Sequence, residues 1–171
     1  MLQAELKKRT LPALRSREEM MDIMQKEVYG YLPSPRYTIS ADKPVKSEDR
    51  FACGNVTHSH VNLTVHLENG DHTFRVERLL HNDGKKRPLI LLNNFHPMGS
   101  SCYFPIEELS ESEADFLSVF YKDVTSDDAD FSTGLAPLLL PNGQDTSETC
   151  GKIGIWAWAT MRVLDYGLTL E

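Results

Sequence analysis

Between Val56 and Leu67 the chain alternates: Val61, Leu63, Val65 and Leu67 are apolar, and His60, Asn62, Thr64 and His66 between them are polar. A period of two sends successive side chains to opposite faces, so this stretch predicts a half-buried strand with one wet face. Glu68-Asn69-Gly70-Asp71 supplies turn residues and His72–Leu80 reads as a second strand, making a hairpin. After Asn82-Asp83-Gly84 and a basic triplet, the run Pro88-Leu89-Ile90-Leu91-Leu92 is apolar at successive positions. Such a run is expected of a strand buried on both faces in a largely parallel sheet.

The flanking segments complete an α/β pattern. Residues 16–29 predict a helix, with Ser16 as cap, Glu18 and Glu19 in its first turn, and Met20, Ile23, Met24 and Val28 along one face. Gly30 stops it, and a proline-set connector follows. Phe116–Tyr121 predicts another strand, and 105–114 at most a short polar helix. Residues 122–150 are acidic and rich in turn formers, and a loop of that length in a compact domain is functional or disordered. Ile153–Leu164 returns to helical spacing, with Ile155, Trp158, Ala159, Arg162 and Tyr166 in register. Several α/β folds begin in this way.

Bulk properties narrow the function classes. A chain of 171 residues makes one domain, which buries roughly 70% of its unfolded surface. The net charge of −7 and the lack of a basic stripe argue against nucleic acid. Lys7, Lys8 and Arg9, and Lys85, Lys86 and Arg87, read as solvated ends of elements. No stretch approaches the roughly 20 apolar residues that cross a bilayer, and the N-terminus has no secretory apolar region. Cys53, Cys102 and Cys150 form no CxxC pair and read as reduced thiols in a cytoplasmic protein, which leaves the sequons at Asn55 and Asn62 without meaning. No cofactor motif occurs.

Candidate chemistry is sparse. Serine hydrolysis needs a hydroxyl on a strained strand-to-helix turn, a histidine and an orienting carboxylate. No GxSxG is present; Gly99-Ser100-Ser101-Cys102 is the nearest approach. His58, His60 and His66, with Cys53 and His72, invite a metal reading, but residues 60 and 66 of one strand stand about 20 Å apart. A solvated strand face is expected instead. Asp123, Asp127, Asp128 and Asp130 lack the spacing of a calcium loop and are expected to cap turns. Cys102 sits among Tyr103, Phe104 and Pro105, with no cation to activate it. Trp156 and Trp158 are expected in the core.

Four segments carry a resemblance: EVYGYLP (Glu27–Pro33), ILLNNFHP (Ile90–Pro97), YKDVTSDDADFSTGLAP (Tyr121–Pro137) and GKIGIWAWATMRVLDY (Gly151–Tyr166). In this order they resemble the N-terminal half of bacterial acetylxylan-esterase-like and glucuronoyl-esterase-like α/β-hydrolases. The resemblance implies an incomplete α/β-hydrolase fold over 16–171, after an N-terminal extension at 1–15. Its parts are an antiparallel opening hairpin, then parallel strands and helices, without the nucleophile strand and the elements after it. It further implies a truncated carbohydrate-esterase homologue, inactive alone, because the serine turn, acid and histidine of that family come after the tail helix. All six histidines lie at or before His96, so the order serine, acid, histidine cannot be met. By position, the backbone amides of Asn94 and Phe95 are oxyanion-loop candidates, and His96, Asp127 and Asp128 are candidates for the pocket rim. The expected partner is a second copy or a complementary C-terminal hydrolase half, paired through an exposed Leu89–Leu92 edge. A non-catalytic interaction module is the alternative.

Overall fold

The computed structural model describes residues 16–98, 105–143 and 149–170, with only the backbone at 48–50. The N-terminal extension and the Gly99–Cys102 segment therefore lie outside the described residues.

The long alternating stretch forms β3 (Val56–Leu67), which pairs antiparallel along its whole length with β4 (Gly70–His81), from Val56 opposite His81 to Leu67 opposite Gly70. Two further strands lie along the other side of β3: β1 (Tyr37–Ala41) and β2 (Val45–Phe51), both antiparallel to it. Beyond β4 the sheet continues with β6 (Asp115–Phe120), again antiparallel, and then with β5 (Leu89–Asn94), parallel to β6. The order is β1-β3-β4-β6-β5. The mixed α/β architecture expected from the pattern is present.

Two corrections concern burial. The apolar run of β5 is not buried on both faces, since Ile90 is 41% exposed; its place at the sheet's edge, with β6 as its sole strand neighbour among the described residues, is the one expected. The N-terminal helix, α1 (Arg17–Met24), has its Ser16–Glu19 capping box, but it buries none of its residues. Its last turn widens over Gln25–Tyr29, where the Gly30 N–H reaches back to the Gln25 carbonyl at 2.7 Å.

The loop between β6 and the last helix contains two single-turn helices, α3 (Tyr121–Val124) and α4 (Ala136–Leu139); α2 (Ile106–Ser110) precedes β6. The helix α5 (Lys152–Gly167) lies on one face of the sheet. There Val61, Leu63, Val65, Phe74, Val76, Leu117 and Val119 meet Ile155, Trp156, Trp158, Ala159 and Val163 in the main core. Both tryptophans are buried, as expected. On the opposite face Val56, Leu79, Ala114 and Phe116 make a smaller core with Ile106 and Leu109. Arg162 ties α5 to the sheet edge: it stacks 3.9 Å from the Tyr37 ring centroid and donates to Asp165, which also accepts from the Tyr37 hydroxyl.

Candidate functional site

The parallel strands β5 and β6 end side by side, and their outgoing loops meet there. In open α/β sheets ligands bind outside such carboxyl ends. After β5, the Asn94 side chain accepts the His96 backbone N–H at 3.2 Å and closes a tight polar turn. The Phe95 ring projects outward, 61% exposed, and packs 5.1 Å from Tyr121, the first residue after β6. Tyr121 in turn packs edge-on against Trp156 at 5.1 Å. This aromatic row fixes the β5 loop to the β6 loop and to α5.

Polar hollows flank that row. A cavity of about 470 Å3 is lined by Tyr121, Lys122, Thr125, Ser126, Asp127, Asp128, Thr133 and Gly134. A smaller one of about 110 Å3 brings His96 together with Glu77, Arg75, Ser118 and Asp123. Asn94, Phe95 and His96 therefore share one turn, and Asp127 and Asp128 lie across Tyr121 from it. Burial raises the Asp123 carboxyl above its ordinary range, against the nearby Arg75 charge. The Ser126 hydroxyl and the Asp130 backbone N–H bind Asp128 and hold it below that range.

Lys152 organises this loop, and its role was not read from the sequence. It is 9% exposed, and its ammonium donates to Thr125 Oγ1 at 3.1 Å, to Ser126 Oγ at 3.0 Å and to the Asp130 carbonyl. Asp128 stands 3.9 Å away and the Phe131 ring centroid 4.6 Å. Gly134 lets the loop double back: its φ is +63°, and a Cβ there would lie 2.4 Å from the Val124 carbonyl. Asp128 and Asp130 thus act as turn caps, accepting the Asp130 and Ser132 backbone N–H groups, with a buried cation beneath them.

On the histidine-bearing face of β3, His58 and His66 each contact a carboxylate. His58 Nε2 lies 2.8 Å from Glu77, and among the described residues no three metal-ligating side chains converge. One constellation has the atom pairing of a hydrolytic relay: Ser40 Oγ is 2.8 Å from His66 Nε2, and His66 Nδ1 is 2.9 Å from Asp71 Oδ2. Ser40 lies within a regular antiparallel ladder opposite Thr64, far from the strained turn beside paired amides that acyl transfer uses. Thr64 and Thr73 continue the same row at 2.8 Å. These are cross-strand polar pairs, each worth roughly 0.2–1 kcal/mol. The proline connector hid β1, and Ser40 with it.

No family model and no curated protein matches the chain. Solved structures do. A glucuronoyl esterase from Solibacter usitatus superposes with a TM-score of 0.69 at 21% identity, over 88% of this chain and 47% of that one. A CE15 glucuronoyl esterase from Teredinibacter turnerae T7901 gives 0.64 at 19%, over 88% and 41%. A promiscuous CE15 esterase from a marine bacterial metagenome gives 0.60 at 17%, over 90% and 47%. The chain spans under half the length of each. Its six-stranded sheet and covering helix carry the fold of one part of these α/β-hydrolase-type esterases.

Proposed function

We propose that the chain is the opening half of a carboxylic-ester hydrolase of the carbohydrate-esterase type, silent by itself. In this reading its nucleophile, acid and histidine come from polypeptide outside this sequence. The observation that carries the reading is the meeting of the β5 and β6 loops at Phe95 and Tyr121, in a fold shared with glucuronoyl esterases. The backbone amides of Asn94 and Phe95 would face a developing oxyanion, and His96, Asp127 and Asp128 would form the rim. An oxyanion donor contributes about 10²–10³ in rate, and only once a nucleophile is present.

The complementary half would add its first strand to β5, which has β6 as its sole strand neighbour among the described residues. Beside it Leu91, Ile153, Ala157, Met161 and Leu164 line an apolar groove of about 330 Å3. No helix among the described residues is long and apolar enough to cross a membrane. Cys53 and Cys150 are unbridged thiols, and we place the chain in the cytoplasm.

The test is an aryl-acetate assay on the purified chain, alone and mixed with a separately expressed second half of a glucuronoyl esterase fold. Turnover is expected in the mixture only. Ser40→Ala should leave both results unchanged. Turnover by the chain alone, lost in Ser40→Ala, would overturn the reading and move the chemistry to the β1–β3 face.

A further inference from the structure

We propose a second ligand site, for a small monocarboxylate, at the end of the sheet remote from the β5 and β6 loops. Arg78 lies on the α5 face of β4, and 91% of it is buried, since its relative exposure is 9%. Its Nε and Nη1 find no hydrogen-bond partner among the described residues, and no carboxylate of those residues pairs with it. Its guanidinium carbon lies 5.9 Å from the centroid of the Tyr166 ring. A buried cation without a counter-ion is costly, and a carboxylate is the group that matches a guanidinium fork.

Arg78 lines a cavity of about 410 Å3 with Ile39, Asp42, Pro44, Tyr166 and Leu170. Gly167, one residue past Tyr166, packs against Leu89 at the start of β5, which fixes this cavity at the opposite end of the sheet from Phe95 and Tyr121. The lining selects the ligand. Arg78 is the sole cation among the described lining residues, and its fork has room for a single carboxylate. The Asp42 carboxylate, which accepts from the Asn62 backbone and side-chain N–H groups at 2.8 and 2.7 Å, lines the same cavity and disfavours a second negative charge on the ligand. Ile39, Pro44, Leu63 and Leu170 give apolar walls for a hydrocarbon body. An aromatic or short aliphatic monocarboxylate satisfies all three conditions; inorganic phosphate satisfies the first poorly and the third not at all.

The probes are benzoate, its neutral isostere benzamide, and inorganic phosphate, each titrated into the full chain at constant ionic strength. Benzoate is expected to raise the melting temperature dose-dependently, with neither control doing so. Arg78→Met should weaken benzoate binding at least tenfold and Arg78→Lys less. Should Arg78→Met fail to fold, amide NMR shifts of the unaltered chain decide: benzoate must move Asp42, Thr169 and Leu170 and leave Phe95 and Asp127 in place. Equal responses to benzoate and benzamide, a stronger response to phosphate, an unaffected Arg78→Met, or shifts centred on Phe95 would each overturn the proposal.

Discussion

A lysine in the first turn of a helix opposes the helix dipole, so Lys152 must be held there by what it binds. Its three oxygen partners come from a loop more than twenty residues upstream, where the other donors to Ser126 Oγ and the Asp130 carbonyl stand at the longer distances of 3.3 and 3.4 Å. Lys152→Met keeps the length and removes the ammonium. The expected cost is about 1–3 kcal/mol for the acceptors left in a buried setting. Urea unfolding should show that loss, and limited proteolysis should cut 125–133 faster; an unchanged variant would show that the loop holds itself. Glu77 gives a pH-dependent counterpart. Burial works against its ionisation, but the His58 hydrogen bond and the Arg75 guanidinium outweigh it and hold the carboxyl below its ordinary range. A depressed folded pKa means the stabilisation is full above the unfolded value of about 4.3 and is lost as the pH falls through the folded one. Glu77→Gln should therefore cost about 1–3 kcal/mol at pH 7 and progressively less as the pH falls below about 4.3. Denaturation midpoints across that range measure the difference; a cost independent of pH would show that packing, not charge, matters here.

Between elements, close approaches decide what sequence patterns only suggest. Gly30 reads from the sequence as a helix stop. In the structure its φ is +72°, and a Cβ would sit 2.0 Å from the Thr149 carbonyl, because the Gly151 N–H bonds to the Tyr29 carbonyl there. Gly30→Ala must shift backbone against backbone, with an expected loss of about 2–3 kcal/mol, detectable as a lower thermal midpoint. A loss under half of that would mean that the α1 connector moves freely over 149–151. The same contrast explains what was legible. β3, β4 and α5 were readable because each buries one face, and burial writes a period into the sequence. β1 and β2 were not, because 37–51 holds few apolar residues and is kept in place by its ladder to β3. The spacing of Met20, Ile23, Met24 and Val28 gave the helix correctly but not its exposure, since spacing does not say what covers a face. Gly167 had no sequence rationale; the structure supplies one, as a Cβ there would meet Leu89 Cδ2 at 2.4 Å. The Asn94–His96 turn was legible by position, whereas Lys152 was not, since its partners are brought to it only by the fold.

At the scale of the molecule, the described sheet ends in β1 and β2 on one side and in β5 on the other. β1 and β2 close the first side with polar strands, and the Tyr37–Asp165–Arg162 cluster locks β1 to α5. On the second side the unpaired edge of β5 runs beside exposed Ile153, Met161 and Leu164, which are 57%, 46% and 39% accessible. A strand edge with apolar side chains and no charge among Leu89–Leu92 is a template for another strand. The apparent mass should therefore rise with concentration above the 19.4 kDa of one chain. Ile90 is the residue at which to interrupt this, because it is already 41% exposed and a lysine there costs the fold little. Ile90→Lys should hold the chain at monomer mass in light scattering while its unfolding midpoint stays within about 0.5 kcal/mol of the parent. The same substitution should weaken capture of a complementary hydrolase half at least tenfold, about 1.4 kcal/mol. Met161→Lys, on the groove but off the strand, separates the two contributions: equal effects mean that apolar burial drives association, and a much smaller effect means that strand pairing does. A parent chain that stays monomeric at high concentration and ignores the second half would show that this edge recruits nothing.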